Sequence, residues 1–432
     1  MENASHNSFN KFMIIWLGQL ISSIGSGLTA FALAVFVYDL SGTATSVSIV
    51  TLCAFLPAVL LAPVGGVFAD RFDRRLMMIL GDLFSAFGLV FILLVMFSGS
   101  VSLWQIYLGV AISSVFVALM EPAYKATVTD LLDEEQYAKA SGLVQLAGSA
   151  KYLVSPILAA FLLTITDIKA ILSIDIGTFF ITVLAVLWVR RTIKATAQSA
   201  AAEHNFMREM KEGLRTIVSK RGVIVLITLI SMVTFFIGIL QTLLTPMVLN
   251  IASTSVLGTI MTLSSLGLLV GSLVIGVASI KKHYTSMISL GLAVSGLFFA
   301  LMGVSTNTVI ITVTGFLFFL ALPFVNTGAD VLIRQNIPDD RQGRVWGLIG
   351  IISQLGYILA YSISGLLADH VFTPLLMPDG ALAGSVGRLI GTGASRGIGF
   401  MFMISGLFVI ILAGFIYNSR ATRKLEHVET IA

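Results

Sequence analysis

A chain of 432 residues in which 57% are hydrophobic and only 11% are charged cannot cover a water-soluble globule of that size with polar surface. Its mean hydropathy of +0.98 points to a polytopic membrane protein and excludes a soluble one. The net charge of +4 is spread along the chain in a topological pattern, so no nucleic-acid partner is expected.

Runs of membrane-spanning length fall near 12–38, 44–68, 76–97, 102–127, 138–165, 168–189, 222–249, 254–280, 285–304, 307–332, 343–372 and 398–418. The first is too long for a signal-peptide core and reads as the first span. Twelve spans put both termini on one side, and with the termini inside, 22 of the 26 Lys and Arg residues fall on inner segments. The positive-inside rule therefore predicts cytoplasmic termini. The single cysteine, Cys53, cannot form an intramolecular disulfide.

Span 1 carries Gln19, Ser22, Ser23 and Ser26, and span 7 carries Thr234, Phe235, Gln241 and Thr245. With Asn326 on span 10, Gln19, Ser22, Ser26, Phe235 and Gln241 are the candidate substrate-binding residues; plain interhelical hydrogen bonding is the alternative for the polar ones. Between spans 2 and 3, Asp70, Arg71, Asp73, Arg74 and Arg75 are too charged for hydrocarbon and predict a short water-facing turn.

Ionisable residues inside spans are costly unless paired or wet, and they mark functional chemistry. Asp82, Glu121, Lys151, Asp175 and Asp330 are of this kind. Asp82 lies near the charged turn, with an ion pair to its arginines as the alternative to coupling. Asp175 suits an outer gate or cap as well as transport, and Asp330 has Arg334 one turn on. Glu121 and Lys151 sit deeper, on consecutive helices, and are read as a proton-exchanging carboxylate with its charge-balancing partner; a static ion pair is the alternative. The proton-coupling set is thus Glu121, Lys151, Asp82 and Asp175.

Residues 191–221 read as a cytoplasmic linker between a lobe of 1–190 and a lobe of 222–432, with Phe206, Met210, Leu214, Ile217 and Val218 at helical spacing. A weak repeat supports two halves: the segment from Leu132 to Leu143 matches that from Ile337 to Leu348, and Val64-Gly65 matches Val270-Gly271 ahead of Lys281-Lys282. Late in the chain, Thr392-Gly393-Ala394-Ser395-Arg396-Gly397-Ile398-Gly399 imitates a dinucleotide-binding fingerprint. That fingerprint works only between a strand and a helix, whereas here it lies between two spans, so a connector from Thr373 to Gly397 is expected, with an interfacial segment at 381–390. The chain contains no P-loop, and neither an enzyme activity, a cofactor nor a metal site is expected.

Gly66, Asp70, Arg71, Arg74 and Arg75 lie in register with the loop 2–3 signature of the major facilitator superfamily, which the chain resembles; Asp73 stands where that signature has glycine. Ile15 to Gln19 with Ser22, Asp70 to Arg74 with Asp82, Val154-Ser155-Pro156 with Ala159-Ala160, Asn205 to Gly213, and Gly343-Arg344-Val345 narrow the resemblance to the macrolide-efflux branch of drug exporters, where Asp73 is typical.

The resemblance implies an all-α membrane protein of twelve transmembrane helices in two six-helix lobes. It implies a secondary-active exporter of amphiphilic small molecules such as macrolides, working by proton antiport and alternating access in a bacterial plasma membrane, as a single chain among lipids. Gly66, Asp70, Arg71, Arg74 and Arg75 would gate it, and Ser155, Pro156, Ala159 and Ala160 would be the degenerate antiporter motif that packs helices closely. Where such exporters carry a buried arginine on span 4, this chain has Ser113 or Ser114. A siderophore, metabolite or lipid exporter, or a solute facilitator or importer, is the alternative.

Overall fold

The computed structural model describes residues 2–192, 206–278 and 282–426. Among the described residues all regular structure is helical, as expected of a chain whose backbone N–H and C=O groups must be satisfied within each apolar segment. Among the described residues, eleven helices are long and apolar enough to cross a membrane, and a bent pair makes up to twelve. The chain divides into two compact units, Met1–Gly42 with Ile49–Ala202, and Thr43–Ser48 with Glu203–Ala432.

The first unit is built from α1 (Glu2–Ser41), α2 (Ala44–Arg71) from Ile49 onward, its first turn belonging to the second unit, α3 (Arg74–Phe97), α4 (Leu103–Leu131), α5 (Glu134–Leu153), α6 (Ser155–Ile165) and α7 (Ile168–Thr192). The single span expected at 138–165 is two helices, α5 and α6, bent by 41° at Val154. Pro156 explains the break, since it has no N–H for the helical ladder and fits the first turn of a new helix. Phe12 and Ile15 of α1, Met78 of α3, Ala123 of α4 and Val186 of α7 are packed into one solvent-free cluster. Trp16 donates its indole N–H to the Leu143 carbonyl at 2.6 Å, tying α1 to α5.

The second unit contains α8 (Phe206–Ser219), α9 (Arg221–Leu249), α10 (Thr254–Ala278), α11 (Tyr284–Val304), α12 (Thr308–Asn336), α13 (Asp339–Leu367), α14 (Thr373–Leu376), α15 (Val386–Ile390), α16 (Ala394–Asn418) and α17 (Arg420–Glu426). A π-helical turn, Ala368–Phe372, carries α13 on into α14. The amphipathic α8 packs on α13, where Arg344 meets Glu212 at 2.9 Å and Gly213 faces Leu348. The expected linker from 193 to 205, and Lys281 of the repeat, lie outside the described residues. The interfacial segment expected at 381–390 is helical only in its last five residues, Val386–Ile390.

The repeat is exact in length for one helix pair. α4 and α12 are both 29 residues long, and Leu103 and Thr308 are separated by the offset that relates Leu132 to Ile337.

Candidate functional site

Asp82 on α3 and Asp175 on α7 are each 1% exposed, and the two carboxylates lie within electrostatic range of each other. The Asp175 Oδ1 stands 3.4 Å from Ser26 Oγ on α1 and 3.3 Å from Thr178 Oγ1 on its own helix. Thr178 gives its hydroxyl hydrogen to the Asp175 carbonyl oxygen at 2.7 Å. Thr29 approaches the same carboxylate, yet its buried Oγ1 has no partner in hydrogen-bond geometry. The buried Asp82 Oδ2 is likewise unpartnered, so the ion pair with the arginines of the charged turn that stood as its alternative is not formed at this oxygen. Lys151 on α5 is within electrostatic range of Asp175. Four helices of the first unit thus bring two acids, one ammonium and three hydroxyls together, where the sequence reading had scattered them among a cap, a gate and a separate pair.

Glu121 is placed differently from its sequence expectation. Its carboxylate pairs with Lys125 one turn along α4 at 2.7 Å, and both side chains are more than half exposed (57% and 63%). Lys151 lies within electrostatic range of Asp175, and the expected Glu121–Lys151 pairing is corrected to Glu121–Lys125. The reason is helical geometry: a side chain four residues on lies on the same face of the helix, within reach of Glu121. In the second unit Asn326 is also exposed, and it occupies the register of α12 that Glu121 occupies in α4, each eighteen residues after the first of its helix.

The charged turn is a folded knot. Asp73 caps α3 by accepting the backbone N–H groups of Arg75 and Leu76 at 3.0 and 3.3 Å, and its other oxygen pairs with Arg190 of α7 at 3.0 Å. The residue that departs from glycine therefore satisfies orphan amides that glycine leaves bare. Asp73→Ala should lower stability by about 1 kcal/mol through the cap alone, read as a drop in thermal midpoint of the purified protein.

Arg74 pairs with Asp130 of α4 at 2.6 Å and more distantly with Asp70 at 3.7 Å, while also donating to the Ala69 carbonyl at 3.1 Å. Arg75 is buried among Asp73, Asp130 and Arg190, and Arg71 is exposed. Asp130 and Arg190 were not assigned to this knot from sequence. Gly66 touches nothing a methyl group would meet; Gly65 is the glycine pressed onto the Ala118 carbonyl of α4.

Of the remaining candidates, Gln19 and Ser22 are buried, with the Gln19 amide 3.7 Å from the Met120 sulfur. Phe235 stacks edge-on with Phe236, and Gln241 accepts the Tyr361 hydroxyl at 2.5 Å. Thr234 donates to the Ser353 carbonyl. The Arg334 guanidinium lies over the Trp346 ring and within electrostatic range of Asp330. Ser155 donates to the Ile24 carbonyl of α1, and Pro156, Ala159 and Ala160 are buried beside it, so these small residues pack within their own unit. Ser113 and Ser114, on the helix lacking the arginine, bond to Ser85 and to the Ala54 carbonyl.

Two further groups were given no role by the sequence. In the second unit the Asp369 carboxylate of the π turn accepts from Ala44 N, Thr45 N and Thr45 Oγ1 at 3.0, 2.7 and 2.6 Å, capping the first turn of α2. An ionisable residue inside an apolar span was the sign that could have found it. Arg396, within the fingerprint-like segment, is 4% exposed and donates to the carbonyls of Gly303, Val304 and Ser305 at the end of α11. No strand precedes it among the described residues, and the segment opens α16 as a packing element.

A model of the Major Facilitator Superfamily matches residues 15–361. Macrolide efflux protein A of Streptococcus pyogenes is 27% identical over 421 residues, covering 96% of this chain and 97% of that protein. Macrolide efflux protein A of Enterococcus faecalis is 29% identical over 310 residues, 71% of this chain and 95% of its own. Among solved structures, an inward-facing bacterial homologue of the human lysosomal transporter Spinster superposes with a TM-score of 0.74 at 14% identity, over 97% of this chain and 98% of that one. The nucleoside transporter NupG superposes with a TM-score of 0.72 at 12% identity, over 95% of this chain and 100% of that one; at such identities the likeness concerns the fold. A family model spanning most of the chain, on a helical fold of this kind, identifies a multi-pass membrane transporter rather than an enzyme, and the chain belongs to the major facilitator superfamily.

Proposed function

We propose that this transporter exports amphiphilic small molecules of the macrolide class in exchange for protons, by alternating access of two six-helix lobes in a bacterial plasma membrane, with both termini cytoplasmic. The observation that carries the reading is the near end-to-end match with a macrolide efflux protein, 96% of one chain against 97% of the other. Proton exchange is assigned to Glu121. An exposed carboxylate within a membrane span is tolerated where water reaches it, and a water-reached acid can take up and release protons. Asn326, at the same register of the equivalent helix, is an exposed amide suited to hydrogen-bonding a polar substrate group. The knot around Arg74 acts as the gate.

The test is transport of a radiolabelled macrolide by purified protein in proteoliposomes under an imposed pH gradient. Macrolide accumulation with counterflow of protons is the expected result, and Glu121→Gln, which mimics the protonated acid, should keep macrolide binding and lose gradient-driven accumulation. Co-directional movement of drug and proton, accumulation indifferent to the gradient, or wild-type coupling in Glu121→Gln would overturn the reading.

A further inference from the structure

Helix α8 leaves one of its sides bare. A helix turns once in ~3.6 residues, so Lys211, Leu214, Arg215 and Val218 share a side. All four are exposed, Leu214 at 48% and Val218 at 61%, while Gly213, Thr216 and Ile217 on the opposite side are buried. We propose that α8 lies in the headgroup layer of the membrane, where Lys211 and Arg215 bind anionic phospholipid and Leu214 and Val218 are immersed beside the acyl chains. The inference goes beyond the export reading and uses none of the residues that reading assigns.

Chain continuity sets the depth of α8. It ends at Ser219, and α9, which is long and apolar enough to cross a membrane, begins at Arg221. Consecutive Cα atoms are about 3.8 Å apart, so the end of α8 lies within about 8 Å of the start of a span. That distance is close to the thickness of one headgroup layer, about 5–8 Å. The joint is also tied down. The Lys220 N–H donates to the Ile217 carbonyl at 3.1 Å, Ser219 Oγ to the Thr216 carbonyl at 2.7 Å, and Lys220 Nζ to the Asn336 carbonyl at the end of α12.

Charge selects the partner. Lys211 and Arg215 have no ion-pair partner among the described residues, and Glu212, the acid between them in sequence, is engaged with Arg344 of α13 at 2.9 Å. An anionic bilayer offers phosphates to these two cations and hydrocarbon to Leu214 and Val218. A zwitterionic surface supplies the apolar half of that contact and lacks the net charge for the other. Lys and Arg reach headgroups on long apolar stems, so their backbone can lie as deep as that of the apolar pair.

The experiment uses the full-length protein, with Cys53→Ser removing the native thiol and a nitroxide attached at Val218→Cys or Ser219→Cys. In nanodiscs containing phosphatidylglycerol the label at 218 should collide with oxygen more than with a water-soluble nickel chelate, and the label at 219, on the polar flank, should do the reverse. In detergent, phosphatidylglycerol should raise the thermal midpoint several degrees more than phosphatidylcholine, and high salt should shrink that difference. Lys211→Gln with Arg215→Gln should lose most of the difference, whereas Arg388→Gln on α15 should keep it. Should the double variant fail to fold, as judged by size-exclusion, the salt dependence of wild type decides. Equal stabilisation by the two lipids, an unchanged difference in the folded double variant or at high salt, or equal chelate access at 218 and 219 would overturn the surface. So would a wild-type dimer that Leu214→Ser and Val218→Ser dissolve, which assigns the face to a second copy of the chain. Since no transport is measured, failure of macrolide export would leave this result standing, and the reverse holds too.

Discussion

Arg74→Ala should reduce macrolide export about tenfold or more while leaving the protein inserted and folded. In the structure Arg74 fastens the start of α3 to the end of α4 through Asp130 at 2.6 Å and to the end of α2 through the Ala69 carbonyl and, more weakly, Asp70. The Arg74 and Asp130 side chains are 22% and 36% exposed, so solvent screening holds the pair to about 1–2 kcal/mol. That is small beside total stability, yet a bias of that size between two conformations shifts their populations about tenfold.

The structure also ranks the partners. Asp130→Asn should impair export nearly as much as Arg74→Ala, and Asp70→Asn should be milder because its contact is longer and its side chain is 65% exposed. Drug accumulation in cells, measured beside surface expression, is the check; the double variant Arg74→Ala with Asp130→Asn should be no worse than Arg74→Ala alone. Wild-type export by Asp130→Asn would remove that residue from the gate.

The largest structural effect is expected at the crossing of α11 and α16. A Cβ on Gly303 would stand 2.0 Å from the Gly399 carbonyl oxygen, and one on Gly399 would stand 2.5 Å from the Gly303 carbonyl oxygen. Each obstacle is backbone, which cannot swing aside, so the helices must separate and give up their packing. Gly303→Ala should therefore destabilise by about 3 kcal/mol or more and cut the yield of folded protein. Gly414→Ala on the same α16, where nothing lies within 4 Å, should be neutral and serves as the control. The measurement is the thermal midpoint of purified protein with expression level. Equal midpoints for Gly303→Ala and Gly414→Ala would refute the close-packing account. The same packing explains the fingerprint-like segment, whose Gly399 meets a neighbouring backbone and whose Arg396 caps a helix end.

What the sequence determined by itself is the set of quantities that depend on neighbours along the chain. Span number and helical class follow from the length of apolar runs, and the charged turn at Asp70 to Arg75 follows from the cost of ions in hydrocarbon. Family membership was legible because the turn motif carries specific residues at fixed spacing. The tertiary structure alone decided partners, since a span's sequence gives the depth of an ionisable group and says nothing of which way it faces. Glu121 and Lys151 have comparable depth on consecutive helices, but one faces Lys125 on an exposed surface and the other lies toward Asp175. Asp82, Asp175 and the neighbouring Ser26 and Thr29 are far apart in sequence and come from three helices, so only packing brings them to one place. The break at Val154 and the cap that Asp369 gives α2 belong to the same class: the helices were readable one at a time, and their rotations about their own axes, which fix every long-range polar contact, were set by how the helices pack.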